Sequence, residues 1–214
     1  MLEPMSFNLR PAAALLAVLV LGTSLTAGTK FQSAWKSPDA GTVSLAGQKV
    51  AALIIDTDES LRVAGEEALA RELTARGMQG VASYRIVPKE ELRNADKARG
   101  WYEKAGVQGV VALRVVSDEK RKTYSTSTWV SPYYSSFWGY YGYGWTTVYD
   151  PGYVHVDRVV SLETLIFSMA KNSLVWAGVS ETDDPKEAGK VIAEVVKEAV
   201  KEMHDQGLAK AIKK

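Results

Sequence analysis

The sequence contains no cysteine and only two histidines. The first absence excludes a disulfide framework, thiolate metal sites and a cysteine nucleophile. The second leaves little scope for imidazole chemistry: His155 opens a predicted strand, His204 falls in the last turn of a predicted helix, and the two share no ligand spacing. A surplus of one charge is also missing. With 26 basic and 25 acidic residues the formal net charge is +1, so no overall field draws nucleic acid or anionic lipid to the molecule, and a nucleic-acid partner is not expected. There is no glycine-rich phosphate loop opening a helix, because Gly139, Gly142 and Gly144 are embedded among aromatic residues, and there is no serine nucleophile elbow either.

What is present begins with the first 28 residues. Arg10 precedes the apolar run Ala12 to Leu21, which gives way to the small and weakly polar stretch from Gly22 to Gly28. Basic end, apolar centre and small-residue exit are the order of a secretory signal, whose centre is roughly 7 to 15 residues, whereas a stable span needs about 20. Residues 1–28 therefore read as a signal peptide, or as an N-terminal anchor if they are retained. The remainder is expected in the periplasm or at the periplasmic face of a bacterial membrane. Removing the leader deletes Glu3 and Arg10, so the charge balance is unchanged.

Residues 29–48 carry no sustained period and read as an extended arm. Residues 49–210 then read as a single α/β domain. Lys49 to Ile55 is a short apolar run suited to a central strand buried on both faces. Leu61, Gly65, Ala68, Leu69 and Leu73 mark the inner stripe of an amphipathic helix stopped at Gly77. A second strand is expected over Val81 to Val87. A helix opened by Pro88 follows, with Leu92, Ala95, Tyr102 and Ala105 facing inward, and Gly109 to Val116 forms a third strand. Val154 to Met169 and Leu174 to Ser180 are separated by only four residues, too few for a crossover helix, and predict an antiparallel hairpin. Asp184, Pro185 and Glu187 then mark the start of a last helix carrying Ala188, Ile192, Val195, Ala199 and Met203 on one face. The expected order is β-α-β-α-β-β-β-α, a mixed sheet of about five strands with helices on at least one face. The third and fourth strands are expected to project beyond it.

Between those strands lies the inserted segment 124–153, which holds twelve of the chain's twenty aromatic residues and no lysine, arginine or glutamate. Neither a helical nor a strand period can be assigned, so it reads as a long loop. Tyrosine and tryptophan join large rigid apolar faces to one polar handle, the chemistry of partner surfaces, sugar platforms and membrane-interface belts. Trp129, Tyr134, Trp138, Tyr141, Tyr143 and Trp145 are the candidate binding surface, for an envelope protein, a glycan or a membrane. Packing of the same rings onto the sheet is the competing reading.

Catalytic signals are sparse, and no cofactor is expected. Asp56 and Asp58 follow a strand and precede a helix, where α/β folds place sites and where paired carboxylates hold Mg²⁺; Thr57 or Asp58 as a helix cap explains the same residues. His155 and Asp157 would share one strand face. A metal-assisted or acid-base hydrolase using Asp56, Asp58, His155 and Asp157 is thus the alternative to a non-catalytic binding or scaffold protein. Glu163, midway along an apolar strand, is expected to face solvent or to pair with Arg114 or Arg158.

The chain resembles a family of small bacterial envelope lipoproteins with a domain of unknown function. The resemblance rests on Ala34 to Ala40 (AWKSPDA), the strand Lys49 to Ile55, the glycine- and tyrosine-rich run Phe137 to Trp145, and Ser161-Leu162-Glu163-Thr164 followed by Leu174 to Gly178. It implies export and an α/β domain and brings no established activity. The order of elements is also similar to that of lipoproteins that activate peptidoglycan synthases and of the N-terminal domain of the periplasmic Tol component, a likeness of order alone. Such lipoproteins place a cysteine directly after the leader. Here that position is Thr29, which excludes thioether lipidation and leaves ordinary cleavage near Ala27 or Gly28, or retention of the leader.

Overall fold

The computed structural model describes residues 28–116, 126–148, 159–183 and 188–205. The leader, His155, Asp157, the helix-start signal at 184–187 and the expected projections of the third and fourth strands lie outside the described residues, as does the side chain of His204.

The chain forms one mixed α/β sheet of six strands: β1 (Thr29–Lys36), β2 (Lys49–Ile55), β3 (Gln79–Ala82), β4 (Gly109–Val116), β5 (Val159–Ser168) and β6 (Ser173–Asp183). Their spatial order is β1-β6-β5-β4-β2-β3. The β2 strand pairs in parallel with both β3 and β4, and the remaining neighbours are antiparallel. Two helices, α1 (Glu59–Ala75) and α5 (Ala188–Asp205), cover one face. The other carries α2 (Ala95–Lys104), α3 (Thr126–Trp129) and α4 (Phe137–Thr146). Alternation along β2 feeds both layers: Ala51, Leu53 and Ile55 pack against α2 and α4, while Val50 and Ala52 pack against α1 and α5.

The mixed sheet, the interior place of β2 between β3 and β4 with burial on both faces, and the β5–β6 hairpin agree with the sequence reading, whereas four elements differ from it. The arm expected over 29–48 begins as a sixth strand, β1, antiparallel to β6. Its alternation is hidden by a bulge at Gln32, which puts Phe31 and Ala34 on one face, three residues apart, with Trp35 on the other. The β3 strand stops at Ala82, and Ser83–Arg85 turns as a 3₁₀ helix because the Tyr84 amide donates to the Glu66 carboxylate at 2.6 Å instead of to a strand neighbour. Pro88 opens only one 3₁₀ turn, Lys89–Glu91; α2 starts later, where Asn94 caps the Lys97 amide at 3.0 Å. The inner positions Leu92 and Tyr102 are nevertheless buried as expected.

The fourth difference is the largest. The described part of the aromatic segment is helical and lies flat on the sheet. Ser136 caps α4 by accepting from the Gly139 amide at 3.2 Å, a start signal masked by the surrounding rings. Glycine allows the close approach: a Cβ at Gly139 would sit 2.4 Å from the Pro132 carbonyl oxygen, and one at Gly144 would sit 2.5 Å from Ile55 Cδ1. The Ser135 carbonyl accepts from the Leu174 amide at 3.0 Å, fixing the segment to β6.

Candidate functional site

The six candidate aromatic residues do come together, but mostly facing inward. Trp129, Tyr134, Tyr141 and Trp145 are buried, and Trp138 and Tyr143 are half-buried. The expectation that these rings form an exposed binding surface is therefore corrected. Their apolar area covers the sheet face left open between α2 and the β5–β6 hairpin, where burial of a large side chain is worth about 1.5–3 kcal/mol. Edge-to-face contacts knit the layer: Tyr102 against Trp138 at 5.7 Å, Trp129 against Tyr134 at 5.4 Å, and Phe137 against Phe167 of β5 at 5.5 Å.

Beneath this layer lies a buried ion pair. Arg114 of β4 and Glu163 of β5 are directly opposite in the antiparallel register. Arg114 Nε donates to Glu163 Oε2 at 2.8 Å, and its Nη2 lies 2.7 Å from the same oxygen. The pairing expected for Glu163 is thus met by Arg114. The aromatic segment supplies the rest of the shell: Tyr134 donates to Glu163 Oε1 at 2.8 Å, Thr147 accepts from Arg114 Nη1 at 2.6 Å, and the guanidinium lies 5.1 Å from the Tyr143 ring centre. Burial pushes the Tyr140 hydroxyl pKa well up, and the nearby Glu163 charge pushes it further, so this tyrosine stays a neutral donor. With both ions 1% exposed or less, the arrangement closes off the pair instead of offering it to a substrate.

Of the proposed hydrolase residues, Asp58 caps α1, accepting from the Ser60 and Leu61 amides at 2.8 and 3.0 Å, and Asp56 Oδ1 accepts from the Asp58 amide at 2.7 Å. Both carboxylates thus shape the β2–α1 turn. Among the described residues, no group of three or more histidine or acidic side chains is placed to hold a metal, and no helix is long and apolar enough to cross a membrane.

Sequence reasoning passed over Arg62 and Glu66. They are four apart on α1, on the stripe that carries Leu69 and Leu73, and both are buried. Charged residues placed on an apolar stripe were the available signal. Glu66 accepts from the Ile54 amide at 3.3 Å and from the Tyr84 amide, tying α1 to the ends of β2 and β3. Burial nevertheless raises its pKa to about 7, against the lowering effect of those amides and of Arg62. Arg62 also lines a cleft of about 370 Å³ at the carboxyl end of β2, between the start of α1, the 89–93 segment and Trp145 at the end of α4. A second cleft, about 420 Å³, lies toward the other end of α4, beside Trp138, Arg99 and Met169.

Fold and site together define a three-layer α/β domain whose aromatic layer seals a buried cross-strand ion pair. No family model and no curated protein matches the chain. Among solved structures it is similar to the PelC dodecamer from Paraburkholderia phytofirmans, at 13% identity over 78% of this chain and 94% of that one, with a TM-score of 0.41. A variant PelC dodecamer from the same organism aligns at 15% identity, over 78% and 91% of the two chains, with a TM-score of 0.39. Lipoprotein GNA1162 from Neisseria meningitidis aligns at 14% identity, over 75% and 99%, with a TM-score of 0.37.

Proposed function

We propose that this is an exported protein of the bacterial cell envelope, a non-catalytic binding domain that docks a protein partner on the outer rim of its aromatic layer. The observation that carries this reading is the division of labour within that layer. Most of its rings are spent on the sheet and the ion pair, yet Val130 and Tyr133, on the connection between α3 and α4, remain 58% and 60% exposed. Tyr133 is held against Tyr143 at 5.1 Å, so the exposed ring is presented by a rigid base at little cost in ordering. An aliphatic side chain beside a tyrosine suits a protein surface better than a sugar. Export is supported by the leader, and Thr29 removes the lipid as a means of attachment.

The test is a photo-crosslinking amino acid at Tyr133 in the native host, with Arg71, exposed on α1 across the sheet, as the control position. A discrete adduct from Tyr133 alone, in the envelope fraction, is expected. A cytoplasmic protein, or equal labelling from both positions, refutes the proposal.

A further inference from the structure

The cleft beside Trp138 gathers polar side chains that the fold itself leaves unused. It lies where β4 begins and the β5–β6 hairpin turns, and short links hold its walls together. The Met169 amide donates to the Gln108 carbonyl at 2.9 Å, the Asn172 amide to the Met169 carbonyl at 3.2 Å, and the Gly106 amide to the Glu103 carbonyl at 2.9 Å. Asn172 holds the turn in the left-handed region, φ 44°, which asparagine tolerates better than most residues. On the other wall Arg99, one turn before Glu103 on α2, lays its guanidinium over the Trp138 ring, 5.0 Å from the ring centre. Stacking restrains that group while leaving the N–H donors at its edge available. Arg99, Glu103, Gln108 and Asn172 are all exposed, and none of them forms a side-chain hydrogen bond or ion pair with another described residue. Their polar atoms are therefore open to a ligand in the cleft, and Trp138 and Met169 add half-buried apolar surface beside them.

The set of side chains defines the ligand. One guanidinium and one carboxylate cancel in charge, so the lining favours neither an anion nor a cation. The two amides each offer donors and an acceptor. Guanidinium, carboxylate and amide are all planar groups that engage two adjacent ligand atoms at once. A pair of neighbouring hydroxyls, each both donor and acceptor, is the neutral partner common to the four. A sugar ring carries such pairs around its rim and an apolar C–H face that suits an indole and a thioether. We propose that this cleft binds a neutral sugar unit, one or two rings of a glycan, through hydroxyl contacts to Arg99, Glu103, Gln108 and Asn172, with its C–H face toward Trp138 and Met169. The volume of about 420 Å³ falls within the range of small-molecule sites, roughly 300–1,000 Å³. The cleft shares no residue with the Val130–Tyr133 rim, so either assignment can fail without the other.

The experiment is calorimetric titration of the purified full chain with two neutral disaccharides, cellobiose and N,N′-diacetylchitobiose. Chitobiose, the cationic de-acetylated form, and the anionic digalacturonate serve as charged comparators. In parallel, ¹⁵N spectra follow the Trp138 indole signal, which is assigned by its loss in Trp138→Phe. At least one neutral disaccharide is expected to bind saturably and to shift that signal, and both charged ones to bind more weakly. Gln108→Ala combined with Asn172→Gly removes both amides while glycine keeps the left-handed turn. This double variant should weaken binding by about tenfold, the usual size of two lost neutral hydrogen bonds. Glu103→Ala should weaken it several-fold and keeps the test open should the double variant not fold. Arg93→Ala, which removes the guanidinium stacked on Trp145 in the other cleft, should leave the affinity unchanged. No saturable binding of either neutral disaccharide, tighter binding of a charged one, or unchanged affinity in the Gln108, Asn172 and Glu103 variants would each overturn the assignment.

Discussion

Replacing Glu163 with leucine would strand Arg114, a guanidinium that is 1% exposed, without its carboxylate partner. Tyr134 and Tyr140 would also lose the oxygens they donate to, at 2.8 and 3.4 Å. Breaking a buried pair from one side costs about 3–5 kcal/mol, because the remaining charge stays desolvated. That is a large share of the about 5–15 kcal/mol that holds a domain together. Replacing both members, Arg114→Met with Glu163→Leu, removes both desolvation penalties, and such exchanges are often neutral or stabilising. The double variant should therefore be more stable than Glu163→Leu alone by about 3 kcal/mol. Urea unfolding followed by circular dichroism measures both through the midpoint at constant slope. If Glu163→Leu does not fold, Glu163→Gln keeps one acceptor and should show a smaller loss. A cost below about 1 kcal/mol for Glu163→Leu, or a double variant as unstable as the two single losses summed, would refute the argument that the pair is fully closed off.

Two glycines three residues apart on α4 should respond with opposite sign. Gly142→Ala meets nothing within 4 Å and should raise stability by about 0.5–1 kcal/mol through helix propensity. Gly139→Ala meets the Pro132 backbone and should lower it by about 2 kcal/mol; both are read from urea midpoints. Glu66 should make stability fall with rising pH. Its pKa is raised from 4.5 to about 7 on folding, so its contribution is complete below about pH 4.5 and is lost as pH rises through about 7, a change of about 3 kcal/mol. Glu66→Gln should flatten that slope between about pH 5 and pH 8, at a cost at every pH because an amide N–H would then face a backbone N–H. Asp58→Ala should cost about 1 kcal/mol as the loss of a cap, and should leave metal content, measured by elemental analysis, unchanged.

Much of the fold was legible because its signals are local. The apolar run at β2, the stripe from Gly65 to Leu73 and the short hairpin connection each depend on a few adjacent residues. What was not legible depends on distant partners. Gln32 is a bulge only because β6 lies alongside, and Ser83 leaves the strand only because Glu66 claims the next amide. The aromatic segment was hardest to read. Its glycines and β-prone rings argue against a helix by propensity, and only contact with Ile55, Pro132 and the Arg114–Glu163 pair makes α4 the better arrangement. The site followed the same division. Asp58 as a cap and Glu163 paired with Arg114 could be read from position, whereas Arg62 and Trp145, one on α1 and the other on α4, come to line one cleft only once the chain is folded.

The central claim is that the aromatic segment is a packed layer sealing the sheet, with only its rim facing outward. Amide hydrogen exchange of the intact protein tests it most directly. If the claim holds, the amides of residues 140–146 are protected to a similar degree as those of α2, because both helices belong to the same buried layer. Exchange of those amides at the rate of an open loop, while α2 stays protected, would contradict it.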